Sequence, residues 1–119
     1  YGITHPISEA AIMTKPAAKL VRDKIPEIIR QDGRVPVIRI IEGTTLVDAL
    51  NTKLLEEHQE FLSAHNDKAK LEELADLMEV VFGLAKQFGA TREDLLILAN
   101  QKRDARGGFD QGYFFEGCQ

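Results

Sequence analysis

The sequence predicts a mainly all-α fold, an antiparallel helical bundle carrying at most a short two-stranded β-ribbon. Three observations lead there. Apolar residues recur at helical spacing at Val47, Leu50, Leu54 and Phe61. Turn and cap signals divide the chain beyond residue 45 into three long segments. No alternation of strand and helix patterns suggests a parallel sheet. At 119 residues and 44% hydrophobic, the chain suits one domain with one core.

The elements follow in order. Residues 1–12 precede Met13, which reads as the natural start, and they are expected to be an extension or an added remnant, leaving 13–119 as the single domain. They lack the basic n-region and long apolar core of a signal peptide. KLVRDKIPEIIR (19–30) predicts a short helix over about 26–31, with Pro26 in its first turn and Gly33 beyond its end. VPVIRII (35–41) is rich in β-branched residues and predicts a strand over about 36–41. Thr45 and Asp48 have the spacing of an N-terminal cap, opening a helix that runs to about Ala64. His65-Asn66-Asp67 is the turn. The next helix spans about Asp67 to Phe88 and stops at Gly89. Thr91 and Asp94 repeat the cap spacing before a helix over about 92–105, ended by Gly107-Gly108. The tail at 109–115 is expected to pair with 36–41 as the ribbon, although nothing local sets its register.

Composition excludes several function classes. A net charge of −4 argues against coating a nucleic-acid polymer. No run approaches the roughly 18 apolar residues of a membrane span. A single cysteine, Cys118, allows no internal disulfide, so a reducing, cytoplasmic setting is expected.

The chemistry concentrates in LLEEHQEFLSAHNDKAKLEELADLMEVV (54–81). Glu57 and Glu60 are three apart, as are Glu73 and Asp76. At about 100° per residue, Glu57 and Glu73 each border the apolar stripe of their helix, with Glu60 and Asp76 about 60° further round. The short turn makes the two helices antiparallel neighbours, about 8–10 Å apart. Carboxylates on facing edges then share one space. Close anions at a partly dry boundary repel one another, and a divalent cation relieves that cost. Mg²⁺ suits it as an oxygen-seeking ion. The competing reading is a solvated acidic face, since such pairs are common on helix surfaces. Glu72 and Glu79 read as solvent-facing or as supports, and Glu56 flanks the pair. His58 and His65, seven apart near the core edge, read as structural. No Glu-x-x-His, H-E-x-x-H or cysteine pair is present, so di-iron and zinc fit poorly.

The pairs Glu57-x-x-Glu60 and Glu73-x-x-Asp76 on two antiparallel helices resemble the all-α nucleoside triphosphate pyrophosphatase superfamily, which includes MazG-like proteins, dimeric dUTPases and phosphoribosyl-ATP pyrophosphohydrolases. KLVRDKIPEII (19–29) and KRDARGGF (102–109) sharpen this to the phosphoribosyl-ATP pyrophosphohydrolase-like branch, a predicted house-cleaning group, with a match covering about residues 19–110. The resemblance implies an all-α bundle built from two subunits, hence a homo-oligomer, dimer or tetramer. It implies hydrolysis of a nucleotide to monophosphate and pyrophosphate with Mg²⁺, Mn²⁺ being the alternative ion. Glu57, Glu60, Glu73 and Asp76 would hold the metal, and Glu56 or Glu57 would serve catalysis. Lys102, Arg103 and Arg106 become the first candidates for phosphate contacts, their other reading being cations that favour a helix C-terminus. Arg22, Asp23 and Lys24 form a second substrate-binding group. Phe109, Tyr113 and Phe114 either stack on a base or pack in the strand or core. No G-x-x-x-x-G-K-[ST] is present to supply a P-loop. Two other functions stay open: the histidine-pathway reaction on phosphoribosyl-ATP, and a non-catalytic helical oligomer or nucleotide-binding adaptor.

Overall fold

The computed structural model describes residues 18–119, and the reading of residues 1–12 lies outside them. The described residues form four helices: α1 (Ile25–Gln31), α2 (Gly43–Ser63), α3 (Asp67–Gln87) and α4 (Arg92–Arg106). The fold is therefore all-α.

The centre of the molecule is the antiparallel hairpin of α2 and α3. Each has 21 residues, which at 1.5 Å per residue makes about 31 Å of helix. Asn66 closes the turn by accepting a hydrogen bond from the Ala69 amide at 2.8 Å, which satisfies one of the free N–H groups of α3. α2 has no basic residue in its own last turn. Lys70 of α3 supplies the missing charge, donating to the Phe61 carbonyl at 3.1 Å while its ammonium lies 4.8 Å from the Phe61 ring centre. At the other end of the hairpin the helices pack closely around Gly83. A Cβ there would sit 3.1 Å from Leu50 Cδ2, so the glycine makes room for a core leucine. α4 returns against α3 after a turn at Gly89, whose φ of +85° suits glycine. The predicted capping box forms in full: Thr91 Oγ1 accepts from the Asp94 amide at 3.1 Å, and the Thr91 amide donates to Asp94 Oδ2 at 3.0 Å.

Two expectations are corrected. The first is the Thr45 cap. α2 begins two residues earlier, at Gly43, and the N-cap is Glu42, whose side chain makes no capping bond. Thr45 lies inside the first turn. The second is the ribbon. Neither 36–41 nor 109–115 is a strand, and among the described residues there is none. Val37 is fully exposed and Phe109 is 98% exposed. The β-branched composition of 36–41 favours an extended backbone, and the backbone there is non-helical. A ladder also needs a partner in register, and a solitary pair of strands is marginal in water. Phe109, Tyr113 and Phe114 accordingly pack in neither a strand nor the core.

Among the described residues few large apolar side chains are buried. Ile25, Leu50 and Val80 form the buried set, while Leu55, Leu62, Leu71, Leu74, Met78 and Val81 remain exposed along α2 and α3.

Candidate metal centre and adjoining cleft

The most deeply buried side chain among the described residues is charged. Glu57 is 1% exposed, and Glu73 and Asp76 are 5% exposed each. The helical projection accounts for this: Glu57 and Glu73 stand at the edge of their apolar stripes, and the antiparallel packing turns those edges toward each other. One carboxylate oxygen from each of Glu57, Glu60 and Glu73 lies within 4.8 Å of the others. Glu60 is the solvent-exposed member. Asp76 lies on the same buried edge of α3, where Arg22 Nη2 donates to its Oδ1 at 2.7 Å. That contact ties the segment ahead of α1 to the acidic edge, across 54 residues of sequence.

The electrostatics of the cluster are uneven. Burial pushes the Glu73 carboxyl up to about 8, helped by its hydrogen bond to Glu57 and the Glu60 charge. Glu60 is also raised, by burial and by the neighbouring Glu57 charge. Burial is the largest influence on Glu57 and acts to raise it, while the hydrogen bond from Glu73 and the positive charge of Lys53 act to lower it, and its carboxyl lies below its ordinary value. At neutral pH, without a cation, Glu73 therefore keeps a proton that it shares with Glu57. A divalent ion would displace that proton. The donor set fits such an ion: three carboxylates converge, with a fourth beside them, and hard oxygen ligands suit Mg²⁺ or Mn²⁺.

Lys53 escaped the sequence reading. It is 6% exposed, and its Nζ lies 3.4 Å from Glu57 Oε1 and 3.9 Å from Glu56 Oε2. The available signal was its place four residues before Glu57, on the same helix face. That spacing is ordinary on helices and carries no indication of burial.

A cleft of about 1050 Å³ opens beside the cluster. Glu57, Asp76, Lys53 and Arg22 lie along it, Asp23 and Lys24 line it as well, and Phe82 and Arg92 also line it. The predicted group of Arg22, Asp23 and Lys24 thus meets the acidic edge. The other predicted cations, Lys102, Arg103 and Arg106, lie exposed on the last turns of α4 and do not line this cleft. Arg103 instead folds toward the helix end, its guanidinium 3.9 Å from where a Gly108 Cβ would stand, and Gly107 donates to its carbonyl at 2.7 Å. Glu56 is half-buried beside Lys53. Glu79 is exposed and 4.0 Å from Arg92, as expected of a solvent-facing acid. His58 and His65 are exposed and not at the core edge; His58 stacks on Phe61 with ring centres 6.5 Å apart.

Among the described residues no helix is long and apolar enough to cross a membrane. No family model matches the chain, and no solved structure matches it. Fifty-five residues are 49% identical to an uncharacterized protein of Mycolicibacterium smegmatis (strain ATCC 700084 / mc(2)155). That similarity covers 46% of this chain and spans 56% of the length of the mycobacterial protein.

Proposed function

We propose that the protein is a Mg²⁺-dependent nucleotide pyrophosphohydrolase, a hydrolase of phosphoric anhydrides that cleaves a nucleoside triphosphate, of non-canonical type, to monophosphate and pyrophosphate. The observation that carries this reading is the convergence of Glu57, Glu60 and Glu73 at the α2–α3 boundary, with oxygens within 4.8 Å of one another. Two of the three are buried, and buried carboxylates are costly without a cation. The resemblance of the two acid pairs and their flanking motifs to the all-α pyrophosphatases supplies the reaction class.

A bound Mg²⁺ would polarise phosphoryl oxygens and make a coordinated water more acidic. The chain's residues do the rest. Glu57, Glu60 and Glu73 would hold the ion, with Asp76, now paired with Arg22, as the fourth acid beside them. Glu56, half-buried and beside Lys53, accepts the proton of the attacking water. Arg22 and Lys53 offset charge on the departing pyrophosphate. Lys102, Arg103 and Arg106 enter this proposal through the motif resemblance, not through proximity within one chain. The exposed apolar stripe of α2 and α3 supports a homo-oligomer, with helices of two copies completing the bundle.

The test is a screen of ordinary and modified nucleotides, phosphoribosyl-ATP among them, with Mg²⁺ and separate detection of pyrophosphate and orthophosphate. Pyrophosphate release is expected, and it should disappear in Glu57→Gln and in Asp76→Asn. Orthophosphate as the primary product overturns the assignment. Preferential turnover of phosphoribosyl-ATP would move it to the histidine pathway. Unchanged function in both variants would favour an adaptor.

A further inference from the structure

We infer that the cleft beside the acidic cluster is where the nucleotide lies, with its polyphosphate at Lys53 and Arg22 and its base at Phe82 and Arg92. The inference rests on the pyrophosphohydrolase reading and adds the orientation of the substrate and the residues that hold its two ends.

Lys53 is the starting point. A buried ammonium loses its hydration at a cost of several kcal/mol unless the site repays it. Placed 3.4 Å from Glu57 Oε1, it also repels any cation held by that carboxylate, because two like charges at such distances oppose each other strongly outside bulk water. For cation binding alone, an apolar residue would serve better at this position. The lysine makes chemical sense once an anion follows the cation into the site. Arg22 stands at the same end through Asp76, and its side chain remains 38% exposed to the cleft and solvent. Together the two cations flank the acids where a metal-held polyphosphate would emerge, and arginine's planar fork suits phosphate oxygens.

The cleft then gives a direction. From Glu57 its wall runs back along α2 to Leu46, and from Asp76 it runs forward along α3 to Lys86. From Asp76 to Phe82, six residues on along α3, the rise is about 9 Å, room to lay out a nucleoside beyond its phosphates. The volume of about 1050 Å³ lies at the upper end of ordinary small-molecule sites. Val80 and Leu50 make the wall apolar along this stretch, and Leu46 stands at its limit on α2. Phe82 stands along this wall, with the Arg92 guanidinium 4.5 Å from its ring centre. Glu79, 4.0 Å from Arg92, steadies that arrangement. The Arg92 side chain is 58% exposed, so a flat π-face can stack against it.

Inorganic pyrophosphate with Mg²⁺ is a probe that has phosphates but no base. Steady-state turnover of the best nucleotide, inhibition by pyrophosphate, and the rise in melting temperature with each ligand are measured on the full chain. Arg92→Met should raise KM for the nucleotide by about 3–30-fold while leaving pyrophosphate inhibition unchanged. Lys53→Met should weaken nucleotide and pyrophosphate together, each by about 10-fold or more, with Lys53→Arg recovering part of the loss. Lys53→Gln, which keeps a polar tip, serves as the second variant should the methionine protein fail to fold, and it should show the same double loss. Wild-type values for both probes in the Lys53 variants, or equal weakening of both probes in Arg92→Met, overturn the inference. If wild-type protein gains stability with a nucleotide yet releases no pyrophosphate, the reaction assignment falls and the melting shifts of the same variants still decide the cleft. A wild-type protein that neither binds nor cleaves any nucleotide overturns both.

Discussion

At Glu73 the fold works against the charge it holds. An isolated glutamate titrates near 4.5, whereas this one is held up to about 8 by burial and by its acidic neighbours. Between those values the folded protein binds a proton that the unfolded chain has released, so the stabilisation is complete below 4.5 and is lost as pH rises through about 8. Glu60 shifts the same way. Glu57, lowered, works in the opposite direction and matters only as pH falls below its ordinary range. Metal-free protein should therefore melt at progressively lower temperature from about pH 5 to about pH 8, followed by calorimetry in chelator. Glu73→Gln should flatten that slope. Saturating Mg²⁺ should reverse it, because the ion binds the ionised carboxylates, and at about 100 times Kd should add about 2.7 kcal/mol at neutral pH. A slope that survives Glu73→Gln unchanged would remove the physical basis given for it.

The elements differ in how they are held. α4 depends on its first turn, where the Thr91–Asp94 box is complete and the residues facing α3 are few. Thr91→Ala should cost about 1 kcal/mol, read as a lower midpoint in urea unfolding with unchanged slope. The hairpin of α2 and α3 is held by packing instead. Leu50→Ala removes one of the buried apolar side chains at the α2–α3 boundary and should cost about 2–5 kcal/mol in the same assay. The cap at Thr91 was legible because its spacing is local. The misplaced start of α2 has the same origin: Thr45 and Asp48 match the cap pattern, but the helix begins at Gly43 with Glu42 as its N-cap and no side-chain capping bond.

At the scale of the molecule, the shortage of buried apolar surface among the described residues is the dominant fact. Leu71, Leu74, Met78 and Val81 recur on one side of α3 at helical intervals, all exposed in the single chain. Exposed apolar stripes of this length mark association surfaces. Sedimentation should find a homo-oligomer, and Met78→Glu should dissociate it and lower its melting temperature together. A monomeric wild type with undiminished stability would show that the hairpin suffices by itself.

What the sequence determined was mostly local and periodic. The positions of α2, α3 and α4, the cap at Thr91, and the placing of Glu57 and Glu73 at the border of the apolar stripes all follow from spacing within one or two turns. Tertiary structure decided the rest. Whether Glu57 would be nearly inaccessible depended on how tightly α2 meets α3. The Arg22–Asp76 contact joins residues with no local relation, and the burial of Lys53 depends on neighbours from other segments. The segment at 36–41 shows the converse: its composition favours an extended backbone, but only a partner strand makes an extended backbone a sheet.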